Sequence, residues 1–277
     1  MPANIIFGHP VEQDNFVKSH PLFFERFHNL KLALDVAFLR QETASGIADA
    51  NFVVFFLGRL SVEDFMEILL LCGNGYGTGA MKLLRGMYER VVTAHHLHMH
   101  PEEVRDFLDF YWVNAHKVAQ AIENVFGKGQ LSAAKIAELK RKREEVAPKF
   151  IVTDCKKCGT QRLNYSWSRL DFVSIARATG STGNRIVDAY YLPLEQAHST
   201  ASAIMSRLKE KGDGTITFDD ETQRDLAART LLTAHNLILD VLTLQKEHFE
   251  LTALEEPLRC CLTDFGEIWT RRESESA

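Results

Sequence analysis

The chain has 277 residues, of which 45% are hydrophobic and 25% charged, and its formal net charge is −5 at pH 7. This composition is typical of a globular protein with ample material for a core. The negative charge disfavours bulk electrostatic binding to nucleic acid or to an anionic membrane. No uncharged apolar run reaches the roughly 18 residues of a membrane span, and the N-terminus lacks the basic and apolar regions of a signal peptide. We therefore expect a cytoplasmic protein.

The first part of the chain predicts three helices. Residues 21–43 carry apolar side chains at near-helical spacing, and residues 48–58 continue as a second apolar helix. The sequence Ser-Val-Glu-Asp that begins at Ser61 resembles a capping box, in which a serine side chain accepts a hydrogen bond from the first helical turn. A third helix is therefore expected to begin at Ser61 and to reach Leu71.

A glycine-rich break at residues 73–79 precedes the next helix and is compatible with a turn or with close helix packing. That helix, residues 80–98, carries more charged and titratable groups than any other apolar run of the chain. They are Arg85, Tyr88, Glu89, Arg90, His95, His96 and His98, with His100 just beyond. This concentration of polar groups makes the helix the leading candidate for a functional site.

The rest of the chain is also predicted to be helical, apart from an irregular insertion near residues 148–168. Helices are expected at residues 101–126, 132–146, 170–180, 186–208, 219–249 and 254–269, and a flexible tail at 271–277. No alternating strand pattern of useful length and no internal repeat is present. Residues 1–277 are therefore expected to form a single all-α helical-bundle domain.

One segment is basic within this acidic protein. Residues 135–169 contain ten Lys or Arg and four Asp or Glu, a local charge of +6. Such a segment is able to contact phosphates, so RNA is a candidate partner. The alternative interpretation is a solvated helix and its following loop, without a partner.

The cysteines give a weak indication of a metal site. Cys155 and Cys158 form a C-x-x-C-G sequence, which is half of a zinc ribbon or knuckle. Structural zinc takes four ligands, and the other cysteine pair, Cys260-Cys261, is adjacent and about a hundred residues away. We therefore favour a plain loop and no cofactor, and keep zinc at Cys155 and Cys158 as the alternative.

Arg85 and Glu89 are four residues apart and so lie on one face of the central helix, with Tyr88 beside them. The surrounding apolar residues suggest that this face is partly buried. A buried arginine and glutamate must be paired, because a single buried charge costs several kcal/mol. The pair is expected either to hold helices together or to polarise a substrate.

The histidines of the same helix allow two further interpretations. His96 and His100, or His95 and His98, have the spacing at which two imidazoles are able to bind one metal ion. Histidines near a helix C-terminus also suit the helix dipole without any metal, and we favour this interpretation.

Arg90-Val-Val-Thr-Ala-His95 resembles the arginine–histidine pattern of HEPN ribonucleases, although Val91 replaces the usual polar residue. The resemblance implies an all-α protein in which Arg90 and His95 act on RNA, usually across the interface of a homodimer. Histidine suits such a role because it exchanges protons near neutral pH.

A larger resemblance depends on the order of several motifs. Arg85-x-x-Tyr88-Glu89, Pro101-Glu-Glu, Trp167 and Tyr191 followed by His198 stand in an order that is similar to the domain-of-unknown-function family 5677. The resemblance covers about residues 60–208. It implies a helical bundle in which arginine, glutamate, tyrosine and histidine meet, and it implies no established activity.

We therefore expect Arg85, Glu89, Tyr191 and His198 to form an interior polar cluster that lines a ligand-binding or phosphate-binding pocket. If the cluster is catalytic, His198 is the expected acid or base, Glu89 its orienting partner and Arg85 the anion binder. The alternatives are a HEPN-like ribonuclease using Arg90 and His95, and a non-catalytic interaction module. The sequence does not decide whether the protein is an enzyme.

Overall fold

A computed structural model describes residues 10–39, 49–154 and 158–275. Within these residues the protein consists of α-helices and two short antiparallel hairpins, which confirms the predicted all-α class. The α-helices are α1 (Pro10–Ser19), α2 (Pro21–Phe38), α3 (Asp49–Gly73), α4 (Gly77–Met99), α5 (Val104–Phe126), α6 (Ala133–Val146), α7 (Phe172–Ala178), α8 (Leu192–Ala197), α9 (Ala201–Met205), α10 (Arg224–His248) and α11 (Glu255–Glu275). The strands are β1 (Ile151–Thr153), paired with β2 (Gln161–Leu163), and β3 (Leu208–Glu210), paired with β4 (Ile216–Phe218). Among the described residues, no helix combines the length and the apolar composition of a transmembrane span.

The chain divides into two compact units. The first contains the described residues of Met1–His98 and Ala176–Ala277, and the second consists of Met99–Ile175. That the whole chain forms one domain stays a prediction.

The core of the first unit is built around the two longest helices, α3 and α10, which have 25 residues each and pack along one another. Phe65 and Ile68 of α3 and Leu237 and Leu242 of α10 are fully buried. Helix α2 packs on α11, which also contacts α10. Burial of these large side chains supplies the main favourable free energy of the fold.

Helix α3 runs without interruption through the position where the sequence predicts a new helix. Ser61 is buried in the middle of α3, and its Oγ donates a hydrogen bond to the carbonyl oxygen of Leu57 at 2.8 Å. The capping-box prediction was therefore wrong. A serine in a helix interior can satisfy its hydroxyl on the preceding turn, and here burial of the long apolar run outweighs the local signal.

The glycine-rich break combines a tight turn with a close approach of two helices. Gly75 has a φ of 75°, in the left-handed region that favours glycine. At Gly77, the first residue of α4, an added Cβ would lie 2.7 Å from the carbonyl oxygen of Gln223 and 2.8 Å from the backbone nitrogen of Ala227. Both expected roles of the glycines are confirmed.

The second unit is built from α5 and α6, which pack together. Its small core contains Phe110, Val113, Val146 and Phe150. Ser132 begins α6 by accepting a hydrogen bond from the backbone nitrogen of Lys135 at 3.2 Å. The stretch predicted to be irregular, residues 148–168, contains the hairpin of β1 and β2, whose strands were too short to show an alternating pattern.

Two helix boundaries differ from the predictions in the last third of the chain. The helix predicted at residues 186–208, which Pro193 is expected to kink or divide, consists of a π-helical turn at Val187–Tyr191, α8 and α9, and the break between α8 and α9 follows Ala197 rather than Pro193. Pro193 lies in the first turn of α8, directly after the π-helical turn. At the C-terminus α11 continues to Glu275 and so includes most of the segment that was predicted to be a flexible tail.

Candidate functional site

The face of α4 that carries Arg85 and Tyr88 packs against a later segment of the same unit, residues 182–198. Contacts at both residues define this arrangement. Arg85 Nη1 lies 3.0 Å from Nε2 of His198, and the hydroxyl of Tyr88 donates to the carbonyl oxygen of Gly183 at 3.4 Å. Gly183 is required at this point, because an added Cβ would lie 2.0 Å from the carbonyl oxygen of Ala176.

Four side chains meet at the outer end of this face: Arg85, Glu89, Tyr190 and His198. We call them the outer cluster. The Nε of Arg85 donates to Glu89 Oε1 at 2.9 Å, and the guanidinium carbon lies 4.9 Å from the centre of the Tyr190 ring. The structure thus brings together Arg85, Glu89 and His198 across 113 residues of sequence.

The guanidinium of Arg85 is held in place, but not all of its hydrogen-bond donors are used. Its Nε binds Glu89, its Nη1 binds His198, and one face of the group covers Tyr190. Its Nη2 donates to none of the residues that the structure describes. The Arg85 side chain is 23% exposed and that of Glu89 is 41% exposed, so water and solutes have access to the cluster.

Tyr190 occupies the place in the cluster that was predicted for Tyr191. The Tyr191 residue is 43% exposed, and its ring centre lies 5.5 Å from that of Tyr190. The π-helical turn at Val187–Tyr191 explains the difference, because a π turn holds more residues than an α turn and so changes which side chain faces a neighbouring helix. No pattern in the sequence indicated this turn.

Glu89 contacts Arg85 rather than His198. Glu89 was predicted to orient the histidine, but the spacing of Arg85 and Glu89 favours the observed contact, since the two residues are one turn apart on α4. His198 follows α8 with an extended backbone, φ −111° and ψ 159°, and its side chain is exposed. Because Nε2 accepts from the arginine, the neutral imidazole carries its proton on Nδ1.

A second group of polar side chains lies deeper along the same face, and we call it the inner cluster: Tyr88, Thr182, Arg185 and Asp240. Arg185 Nη1 donates to Asp240 Oδ2 at 2.6 Å, and Thr182 Oγ1 donates to the same oxygen at 2.9 Å. Burial raises the pKa of Asp240 above its usual value, and burial raises the pKa of Tyr88 to about 12. The cluster therefore holds a largely buried ion pair.

Sequence reasoning missed three members of the inner cluster: Thr182, Arg185 and Asp240. One signal was present, because Asp240 stands within the apolar run Leu-Ile-Leu-Asp-Val-Leu of α10. A carboxylate in such a run is rarely left buried without a partner. The identity of that partner, which lies 55 residues away, was not readable from local patterns.

Arg90 and His95, the alternative pair, do not converge within the chain. Positions five apart on a helix differ by about 140° around its axis. Arg90 pairs with Asp64 of α3, whereas His95 lies near Asp240 and Glu247 of α10. Burial lowers the pKa of His95 to about 4, and its Nε2 is buried without a hydrogen-bond partner among the described residues.

The described residues contain no group of three or more His, Cys, Asp or Glu side chains that could hold a metal ion. The histidines near the end of α4 make other contacts: His98 Nδ1 lies 2.8 Å from His248 Nδ1, and His248 Nε2 lies 3.0 Å from Asn51 Oδ1. Of the predicted zinc pair, Cys155 lies outside the described residues. Cys158 Sγ is 2.9 Å from Thr160 Oγ1.

A cavity of about 430 Å³ lies in the first unit beside the outer cluster. Its lining includes Leu84, Asp188 and Glu195, which neighbour cluster residues along the chain, and side chains of α10 such as Arg229 and Thr230. The four side chains of the outer cluster are not part of this lining. The cavity is therefore adjacent to the cluster and is bounded by the same helices.

The basic segment of the second unit is largely neutralised by carboxylates of the same unit. Six of its eight described Lys and Arg residues form ion pairs: Lys135, Lys140, Arg141, Lys142, Lys149 and Arg162. Arg143 and Arg169 have no ion pair among the residues that the structure describes. An RNA contact at residues 135–169 stays a prediction.

Comparison with known proteins gives one match. The model of the Family of unknown function (DUF5677) matches residues 51–215, which extends the predicted resemblance on both sides. No curated protein matches the chain significantly. No solved structure does so either.

Proposed function

Because the chain belongs to this family, whose description assigns no activity, we propose a function from the geometry of the site: the outer cluster binds the anionic group, of phosphate type, of a small ligand. One observation carries this proposal. The guanidinium of Arg85 is fixed by Glu89, His198 and Tyr190, yet its Nη2 keeps its hydrogen-bonding capacity. A fixed, unsaturated arginine is a typical recognition group for phosphate and carboxylate.

His198 supplies a second donor next to the first. Its Nε2 accepts from Arg85 at 3.0 Å, so the proton of the neutral ring is on Nδ1. Nδ1 donates to none of the described residues. Two donors on adjacent, accessible groups suit an anion with several oxygen acceptors.

The adjacent cavity gives room for the remainder of a ligand. Its volume of about 430 Å³ lies within the range of small-molecule sites. Its lining combines apolar side chains such as Leu84 and Leu226 with polar groups such as Thr230. This combination supports a ligand larger than a bare inorganic anion.

Titration calorimetry with inorganic phosphate and with adenosine 5′-monophosphate tests the proposal. Charge-assisted hydrogen bonds contribute about 1.5–3 kcal/mol, so Arg85→Met should weaken binding by about 10-fold to 100-fold. His198→Ala should weaken it by a smaller factor. Tyr191→Phe is the matched control, because Tyr191 lies next to the cluster without contacting Arg85, and it should leave the affinity unchanged.

Two outcomes would overturn the proposal. The first is that neither ligand binds at millimolar concentration. The second is that both ligands bind equally well to the wild-type protein and to Arg85→Met. A large loss of thermal stability in Arg85→Met and His198→Ala, with no binding in any variant, would instead favour the non-catalytic module in which the cluster only holds helices together.

Catalysis at the outer cluster is tested separately, by incubating labelled RNA with the protein and with His198→Ala and His95→Ala. If the outer cluster is a hydrolytic site, RNA cleavage should be lost in His198→Ala alone. Loss in His95→Ala alone would favour the HEPN-like alternative, for which the single chain provides no convergent pair. The predicted cytoplasmic location and the expected absence of a cofactor stay predictions.

A further inference from the structure

The outer face of α3 carries an extended apolar surface. Between Phe52 and Leu70, the exposed residues of α3 lie on one side of the helix. The opposite side packs into the core with Val54, Phe65 and Ile68. The exposed face contains Phe52, Phe56, Arg59, Leu60, Glu63, Met66, Glu67 and Leu70. At 3.6 residues per turn these eight positions lie within about 120° of the helix circumference. We call them the α3 outer face.

Five of the eight residues of this face have large apolar side chains that are exposed. The exposed fractions are 42% for Phe52, 44% for Phe56, 42% for Leu60, 37% for Met66 and 65% for Leu70. The rings of Phe52 and Phe56 contact each other, with centres 4.7 Å apart. A contiguous apolar surface of this kind indicates a contact with another macromolecule.

Six of the eight residues of the face form three pairs that are symmetric about residue 61. Phe52 and Leu70 lie nine positions on either side of residue 61, and Phe56 and Met66 lie five positions on either side of it. Arg59 and Glu63 lie two positions on either side and have opposite charges. A two-fold contact between identical helices running antiparallel brings together residues at equal distances from the centre.

We propose that the α3 outer face is the interface of a homodimer, in which α3 packs antiparallel against α3 of a second copy with the two-fold axis at the level of residue 61. In this register Phe52 faces Leu70 of the second copy, and Phe56 faces Met66. Arg59 of each chain faces Glu63 of the other, so two ion pairs form at the centre. The distance from Phe52 to Leu70 is about 27 Å along the helix, enough for several turns of contact at a shallow crossing angle.

Charge complementarity indicates that the partner at the α3 outer face is a second copy of the same chain. Arg59 and Glu63 are one helical turn apart, yet neither forms an ion pair among the residues that the structure describes. Both lie near the middle of the apolar face, where contact with a partner removes them from water, so that opposite charges across the contact favour binding. The same chain offers the required opposite charge at the required position. Glu67 and Leu60 lie at the margins of the face, where Glu67 stays hydrated.

Charge-reversed variants test the proposal by analytical ultracentrifugation, over protein concentrations of about 1 to 100 μM. The wild-type protein should sediment with about twice the chain mass of 31.4 kDa. Arg59→Glu alone, and Glu63→Arg alone, should each weaken the dimer at least about 100-fold, because two attractive pairs become two repulsive ones. Lys31→Glu, the same change of charge on the exposed side of α2, is the control and should stay dimeric.

The decisive sample is an equimolar mixture of the two single variants. In the mixed dimer, residues 59 and 63 of one chain are both glutamate and those of the other are both arginine, so both contacts are attractive again. The mixture should therefore form a one-to-one dimer although each component alone is monomeric. The double variant Arg59→Glu with Glu63→Arg should also dimerise, which shows that neither change prevents folding.

Three results would overturn the proposal. The first is a wild-type protein that stays at 31.4 kDa throughout the concentration range. The second is a dimer that Arg59→Glu leaves unchanged, which would assign dimerisation to another surface. The third is a pair of monomeric variants whose mixture stays monomeric, which would exclude this register.

Discussion

Arg185 and Asp240 form the most enclosed ion pair of the site, with Nη1 and Oδ2 2.6 Å apart and side-chain exposures of 22% and 17%. Thr182 donates a second hydrogen bond to the same carboxylate oxygen. The pair links the turn at Gly183–Arg185 to α10. It thereby fixes the start of the segment that places Tyr190 and His198 on Arg85. We expect this linkage to control both the stability of the first unit and the geometry of the outer cluster.

Arg185→Met should lower the free energy of unfolding by about 2–3 kcal/mol. Breaking a fully buried ion pair costs about 3–5 kcal/mol. The expected loss is smaller here because both side chains keep some exposure to water. Arg229→Met is the control, because Arg229 and Asp188 are 69% and 59% exposed and such pairs contribute about 0–1 kcal/mol. Urea denaturation measures both values. Equal losses in the two variants would contradict the prediction.

The stability of the protein should fall as the pH decreases below 6.5, in part because of His235. Burial lowers the pKa of His235 from 6.5 to about 4, and Trp269 Nε1 donates to its Nδ1 at 3.2 Å. Between these two pKa values the unfolded chain binds more protons than the folded one, so acid favours unfolding. The loss from this one group is about 2 kcal/mol at pH 5.

Comparison with His235→Gln isolates this contribution, since the other titrating groups are common to both proteins. The free energy of unfolding should fall between pH 7.5 and pH 5 by about 2 kcal/mol less in the variant. Urea denaturation at the two pH values gives the difference. The same pH dependence in both proteins would show that His235 does not titrate in this range.

Gly77→Ala should destabilise the protein, whereas Gly266→Ala should not. A Cβ at Gly77 meets the backbone of Gln223 and Ala227 at less than 3 Å, so α4 or α10 must move. Overpacking of this kind typically costs about 1–3 kcal/mol. Gly266 lies within α11 with no atom within 4 Å of an added Cβ, so alanine should stabilise there by about 0.5–1 kcal/mol. Thermal denaturation of the two variants should give shifts of opposite sign.

Glu89→Gln should strengthen the binding of phosphate at the outer cluster. The amide oxygen of glutamine still accepts the hydrogen bond of Arg85 Nε, so the guanidinium keeps its position. The negative charge, which repels a bound anion, is removed. Because the pair is partly exposed, the gain is about 2-fold to 5-fold. Calorimetry with inorganic phosphate measures it, and weaker binding would show that the carboxylate charge itself is needed to hold Arg85.

The sequence by itself determined the helical class and the position of most helices. The start of α2 at Pro21, the serine cap of α6 and the end of α5 before Gly127 follow from signals within a few residues, because hydrogen bonding in a helix is local. The spacing of Arg85 and Glu89 likewise predicted their contact.

Only the tertiary structure decided which distant groups meet. The pairing of Arg185 with Asp240 and the choice of Tyr190 over Tyr191 depend on a π-helical turn and on packing between elements far apart in sequence. The buried face of α3 was also not evident from the sequence. Phenylalanines occur on both faces of this helix, and Phe55 is buried while Phe56 is exposed. Which of two apolar faces is covered depends on the shape of the neighbouring helices, and no local pattern contains that information.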